Sequence, residues 1–176
     1  MEYTVRPIQP CDNAAVEHLI RTCLVEFGGN RAGTAWADPD LGRFSEVYSA
    51  EKSRYWVAAD AAGQIVAGTG IGPLPGTQAV CELQKMYCLP EVRGTGVSHR
   101  LMDTALAFAR RFYDGCYLET LPNMKAAQRF YEKYGFQKVD VLPVPTAHFA
   151  CDVRYFLPLK TDPSLTGNIF SSLHSL

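Results

Sequence analysis

The chain has 176 residues, of which 47% are apolar and 20% charged, and its formal net charge is −1. That length predicts one domain with a substantial core. The near-neutral balance gives no nucleic-acid footprint, and no apolar run approaches the ~18 residues that span a bilayer.

The N-terminus, Met-Glu-Tyr-Thr-Val-Arg, lacks the basic region and long apolar core of a signal peptide, so a cytoplasmic protein is expected. Residues 3–8 read as a first strand, stopped by Pro10. Asp12 is placed to cap a helix that runs to about Phe27, with Val16, Leu19, Ile20, Cys23 and Phe27 on one face. Gly28 and Gly29 end it. After a polar loop, Asp38-Pro39 sets an N-cap with proline at the first helical position, and Leu41, Phe44, Val47 and Tyr48 follow at helical spacing. Residues 55–59 and 64–71 are β-rich around a hairpin turn at 60–63.

Residues 79–89 form the next strand. The helix over 97–113 carries Val97, Leu101, Ala105, Phe108 and Phe112 on one face, and 116–121 is a strand. A helix follows Pro122-Asn123 and closes at Gly135, with Phe136 packing back. Residues 137–142 and 152–159 are the last strands. Hairpins in the first half and alternating strand and helix in the middle predict an α/β (α+β) fold, a mixed sheet flanked by helices in the order β-α-α-β-β-β-α-β-α-β-β.

The six cysteines, Cys11, Cys23, Cys81, Cys88, Cys116 and Cys151, include no C-x-x-C pair. Zinc and redox motifs use close spacing, so no metal is expected and the cysteines read as small buried hydrophobes.

Residues 85–98, KMYCLPEVRGTGVS, carry the most chemical information. A strand ends, four residues turn the chain into Gly94-Thr95-Gly96, and an amphipathic helix follows. Glycines let the backbone approach a ligand, and the unpaired N–H groups of a helix start fit a pyrophosphate. Arg93 adds a charge-assisted hydrogen bond to that picture. A dinucleotide-binding reading requires a third glycine, where His99 stands. Glu119 lies at a distance suited to a ribose contact, but too little chain follows it for the second half of such a fold.

Glu91-Val92-Arg93-Gly94-Thr95-Gly96 resembles motif A of the acetyl-CoA-dependent N-acetyltransferases of the GNAT superfamily, Gln/Arg-x-x-Gly-x-Gly/Ala, with Glu91 in the first position. Residues 123–136, NMKAAQRFYEKYGF, resemble a second signature of that family, an Asn leading into a helix that ends Leu/Phe-Tyr-x-Lys-x-Gly-Phe. The resemblance covers residues 3–159 as a single GNAT-like domain with a mixed, mostly antiparallel sheet, and leaves 160–176 as a C-terminal tail. It implies acetyl-CoA as co-substrate, held by Met86, Tyr87 and Cys88 at the strand end, by Arg93, and by Gly94, Thr95, Gly96, Val97 and Ser98. Asn123 is expected to reach the pantetheine arm or a phosphate, and also to cap its helix. Tyr131 matches the tyrosine whose hydroxyl meets the sulfur, with Tyr134 as its rival.

An amine must be neutral to attack a thioester, whereas aliphatic amines are mostly protonated near pH 7, so a base is needed. Strand alternation places Glu82 and Gln84 on one face. A carboxylate in a largely apolar strand is costly unless paired or functional. Glu82 matches the family position of a catalytic glutamate, the alternatives being an edge-exposed side chain or a salt bridge to Lys85 or to a neighbouring arginine. Glu119, sharing a face with Tyr117, is the second candidate.

The resemblance places the acceptor between the 28–38 loop and the 144–149 loop, with Arg31, Trp36, Glu119 and His148 as candidate contacts. Trp36 also reads as a loop clamp and His148 as a surface residue, and for both that reading is the favoured one. No acidic cluster or extended basic surface points to a macromolecular acceptor, so a small amine or amino-acid-like metabolite is expected. The function implied is N-acetyl transfer by direct attack. A non-catalytic acetyl-CoA sensor is the alternative, although it has no need of Glu82 beside Tyr131. Monomer and homodimer both stay open.

Overall fold

Side-chain alternation along the central strands decides which layer each residue feeds. In the computed structural model, which describes residues 2–140 and 151–160, β2 (Arg54–Ala59) sends Tyr55 and Val57 to one face and Trp56 and Ala58 to the other. The first face is covered by α1 (Asn13–Glu26) and α2 (Phe44–Val47), through Val16, Ile20, Leu24, Phe44 and Tyr48. The second is covered by α3 (Val97–Ala109) and α4 (Lys125–Lys133), through Leu101, Met102, Ala105 and Tyr131.

The remaining strands are β1 (Thr4–Pro7), β3 (Ile65–Pro73), β4 (Val80–Cys88), β5 (Gly115–Thr120), β6 (Gln137–Val139) and β7 (Val153–Pro158). The seven strands run β1-β2-β3-β4-β5-β7-β6, and every described neighbouring pair is antiparallel except β4 and β5. Element order and class follow the expectation from sequence. Among the described residues, no helix is long and apolar enough to cross a membrane.

Two caps expected from sequence are not formed. Among the described residues Asp12 makes no side-chain bond to the start of α1. Its carboxylate instead accepts from both Nη atoms of Arg6, at 2.6 and 2.9 Å, and from the Gln9 N–H at 2.8 Å. A carboxylate that is only 6% exposed gains more from a bidentate guanidinium than from one helix N–H. Nor does a helix begin at Asp38-Pro39. α2 starts at Phe44, because Asp38 turns inward to an ion pair with Lys85.

That ion pair sits at the feature that opens the site. Between Gly68 and Gly70 the register of β3 against β4 slips, so Gly68 pairs with Tyr87 and Gly70 with Gln84. The extra β4 residue is accommodated at Lys85, whose φ of 52° is left-handed. Its carbonyl accepts from the Tyr55 hydroxyl at 3.0 Å. A bulge reverses parity. Strict alternation would group Tyr87 with Leu83 toward α3, whereas Tyr87 packs with the α1 layer and Met86 and Cys88 with the α3 layer. The parallel pairing of β4 with β5 stops at Glu82 and Tyr117, before the bulge.

Candidate active site

After β4 the chain makes a short turn at Pro90–Val92 and passes through Gly94 and Gly96, with φ of 78° and 89°. Gly96 is the N-cap of α3 and, among the described residues, no side chain caps that helix start. Among the described residues, and apart from the chain on either side, no heavy atom lies within 4 Å of the position a Cβ would take at either glycine. Uncapped N–H groups at a helix start are suited to an anion. They open on a groove of about 440 Å³ lined by Cys88, Gly94, Gly96 and Ser98 on one wall and by Ala127 and Phe130 of α4 on the other.

The other expected cofactor residues divide. Met86 and Tyr87 line the groove, whereas the Val97 side chain is 1% exposed and belongs to the core, leaving its backbone at the turn. The Thr95 hydroxyl donates to the Val92 carbonyl at 2.7 Å and so holds the turn. Arg93 lines the groove, but its guanidinium is engaged. Nη1 and Nη2 each lie 2.6 Å from Glu26, and Nε donates to the Cys88 carbonyl at 3.0 Å. Arg93 thus ties the end of α1 to the glycine turn.

Asn123 does not cap α4, whose N-cap is Met124. Its Nδ2 donates to the Phe27 carbonyl at 2.9 Å, bracing α4 against the end of α1, and Met124 rather than Asn123 lines the groove. The C-terminal end of α4 forms as the sequence predicts. Gly135 has a φ of 89°, the Phe136 N–H donates to the Tyr131 carbonyl at 3.2 Å, and Phe136 is buried.

Beside the groove lies a smaller chamber of about 60 Å³, lined by Glu82, Gln84, Lys85, Glu119, Thr120 and Cys151 among others. Chamber and groove share Met86, Tyr87, Met124 and Tyr131. Glu82 Oε2 accepts from Gln84 Nε2 at 2.6 Å. Glu119 Oε1 accepts from the Tyr117 hydroxyl at 2.8 Å and lies 3.9 Å from Arg154 Nε. Lys85, the partner considered for Glu82, is paired with Asp38. Burial pushes the Cys151 thiol up to about 11 and holds the Tyr131 phenol well above its usual range.

On the acceptor side, Trp36 is a clamp. The Arg21 guanidinium stacks 4.8 Å from its ring centroid and Nη1 donates to its carbonyl at 3.3 Å. Thr34 and Ala35, its neighbours, line the chamber, while Arg31 is exposed and outside the lining. His148 and the 144–149 loop lie outside the described residues, as does 161–176. Gln84 and Lys85 were legible as chamber residues only in part. Gln84 shares a face with Glu82 by alternation, but nothing in the sequence signals the bulge at Lys85.

Residues 51–138 match the family model of the acetyltransferase (GNAT) domain. The chain is 40% identical over 146 residues to the uncharacterized N-acetyltransferase YjgM of Escherichia coli K12, covering 81% of this chain and 87% of that protein. Its fold is similar to an acetyltransferase of the GNAT family from Staphylococcus aureus Mu50, with a TM-score of 0.80 at 20% identity over 90% of this chain and all of that one. It is also similar to an acetyltransferase from Streptococcus agalactiae, with a TM-score of 0.73 at 19% identity over 89% and 98%. These matches favour an enzyme that uses an acyl-CoA over a binding module. A glycine turn opening α3, a bulged β4 and a two-part cavity are thus built on a chain that belongs to the GNAT acetyltransferases.

Proposed function

We propose that this acetyltransferase moves the acetyl group of acetyl-CoA onto the amine of a small acceptor by direct attack. The observation that carries the reading is the meeting of the groove and the polar chamber at Met86, Tyr87, Met124 and Tyr131. One cavity suits a long, largely apolar arm with a polyanionic end. The other suits an amine head group.

The glycine turn fits a pyrophosphate, because the Cβ positions of Gly94 and Gly96 are open and Gly96 leaves the start of α3 without a side-chain cap. Bound acetyl-CoA supplies an electrophilic thioester carbon and a sulfur leaving group. Tyr131, at the junction, donates its hydroxyl proton or a hydrogen bond toward that sulfur. A phenol whose ionisation is pushed up by burial remains a donor at neutral pH. Glu82 accepts the proton of the attacking amine, directly or through a water, and Glu119 is the reserve on the adjacent strand. The small polar chamber supports a metabolite-sized acceptor.

The test is coenzyme A release over a panel of amines, amino acids and peptides, with wild-type protein, Glu82→Gln and Tyr131→Phe. Turnover on small amines and losses of about 10²- to 10⁴-fold in each variant are expected. Stable acetylation of the protein as an obligatory stage, seen in acceptor-free chase experiments, would overturn direct attack.

A further inference from the structure

We propose that Tyr48 and Gln84 are positioning residues that fix Glu82 and present it as a proton acceptor, an inference that rests on the reading of Glu82 as the base. The Tyr48 hydroxyl donates to Gln84 Oε1 at 2.8 Å, and Gln84 Nε2 donates to Glu82 Oε2 at 2.6 Å. An amide carries an acceptor at one end and donors at the other. An ionised carboxylate only accepts, so it takes the NH₂ end, and the Tyr48 hydroxyl donating to Oε1 holds the amide in that sense. Tyr48 is 6% exposed, and burial, followed by nearby Glu82 and Asp38, pushes its ionisation far above neutral pH.

The packing around this line is specific to it. A Cβ on Gly72 would stand 3.0 Å from Gln84 Oε1, and one on Gly70 would stand 2.7 Å from the Tyr48 ring. Gly70 and Gly72 of β3 thus leave the backbone bare where the two side chains lie across it. The Phe44 and Tyr55 rings flank Tyr48, each with centroids 5.3 Å away. Orientation is set by packing as well as by hydrogen bonds.

Tyr48, which follows α2, Cys116 and Tyr117 on β5, and Cys151, which precedes β7, interact electrostatically with Glu82, and Lys85 of β4 and Glu119 of β5 line the same chamber. Asp38 and Arg154 stand one step away, against Lys85 and Glu119. Among them Gln84 is a neutral donor. It favours the ionised carboxylate without cancelling its charge, as a bound cation would.

The experiment is the pH profile of kcat for wild type, Tyr48→Phe, Gln84→Leu, the double variant, Gly72→Ala and Glu82→Gln, with folding checked by near-UV circular dichroism. An acid limb in wild type that disappears in Glu82→Gln is expected from the base reading alone. In Tyr48→Phe the amide is free to turn its oxygen to the carboxylate, which favours the protonated form, so the limb moves to higher pH by about one unit. Gln84→Leu moves it likewise, and adding Tyr48→Phe to Gln84→Leu changes nothing further. Gly72→Ala, whose Cβ meets the Gln84 amide first, shifts the limb the same way. A limb unmoved in Tyr48→Phe and Gln84→Leu, but lost in Glu82→Gln, overturns the positioning role and spares the base. Additive shifts in the double variant overturn the coupling. A limb that survives Glu82→Gln overturns both readings.

Discussion

Tyr131 and Tyr134 stand three residues apart at the end of α4, and the fold puts them in different places. Tyr134 donates to Asp103 Oδ1 at 2.9 Å and lies 3.2 Å from the His99 carbonyl, which ties α4 to α3. Tyr131 is 6% exposed and lines both cavities. Tyr131→Phe is expected to lower kcat by about 10²- to 10⁴-fold while acetyl-CoA affinity stays within about tenfold. Tyr134→Phe is expected to keep its kcat and lose only about 0.5–1.5 kcal/mol of stability. Steady-state kinetics and thermal melts separate the two. The reverse pattern would place the sulfur beside Tyr134.

Gly96→Val should abolish acetyl-CoA binding in a folded protein. The residue has a φ of 89°, so a β-branched side chain there is strained, and its methyls would fill space that is open at the start of α3. Calorimetric titration reads the loss, and circular dichroism confirms the fold. Unchanged affinity would remove the pyrophosphate from this turn.

Glu26 competes for Arg93. Its carboxylate holds both guanidinium Nη atoms at 2.6 Å, and both side chains are 37% exposed. Glu26→Gln is expected to tighten acetyl-CoA binding by on the order of two- to fivefold, the range set by an exposed ion pair. Arg93→Ala should weaken it. The gain should shrink in high salt, since exposed pairs are screened. Calorimetry at two ionic strengths checks both statements.

The Arg6–Asp12 pair makes stability depend on pH in a defined direction. Hydrogen bonding from Arg6 holds the Asp12 carboxyl below its ordinary range. A group whose folded pKa is depressed contributes stability that is fully present above its unfolded value of about 3.9 and is lost as pH falls through the folded one. Asp12→Asn should therefore lower the melting temperature at pH 7, and the gap to wild type should close as pH drops below about 4. A gap that stays constant down to pH 2 would assign the effect to packing alone.

Much of the site was legible because its signals are local. The glycine turn, the uncapped start of α3 and the Gly135-Phe136 closure of α4 each depend on a few consecutive residues, and the structure places them as expected. The same holds for Glu82 and Gln84, two residues apart on one strand face. The misplaced caps share one cause. Asp12, Asp38 and Asn123 each read as helix caps, but each side chain found a partner outside its own helix, Arg6 six residues upstream for Asp12, and Lys85 and the Phe27 carbonyl far along the chain for the other two. Trp36, a candidate acceptor contact, likewise spends its ring on Arg21.

Consecutive residues by themselves determined the order of elements, the family to which the chain belongs and the glycine turn that opens α3, because capping, periodicity and backbone conformation act over one or two turns of chain. Tertiary structure alone decided that Lys85 bulges, that Tyr87 therefore joins the α1 layer, and that two cavities meet beside Tyr131, the tyrosine the resemblance favoured. Those outcomes depend on a register between β3 and β4 and on the long-range partners of polar side chains. A buried charge or hydroxyl takes the strongest partner that the packed fold brings within reach, wherever that partner lies in the sequence.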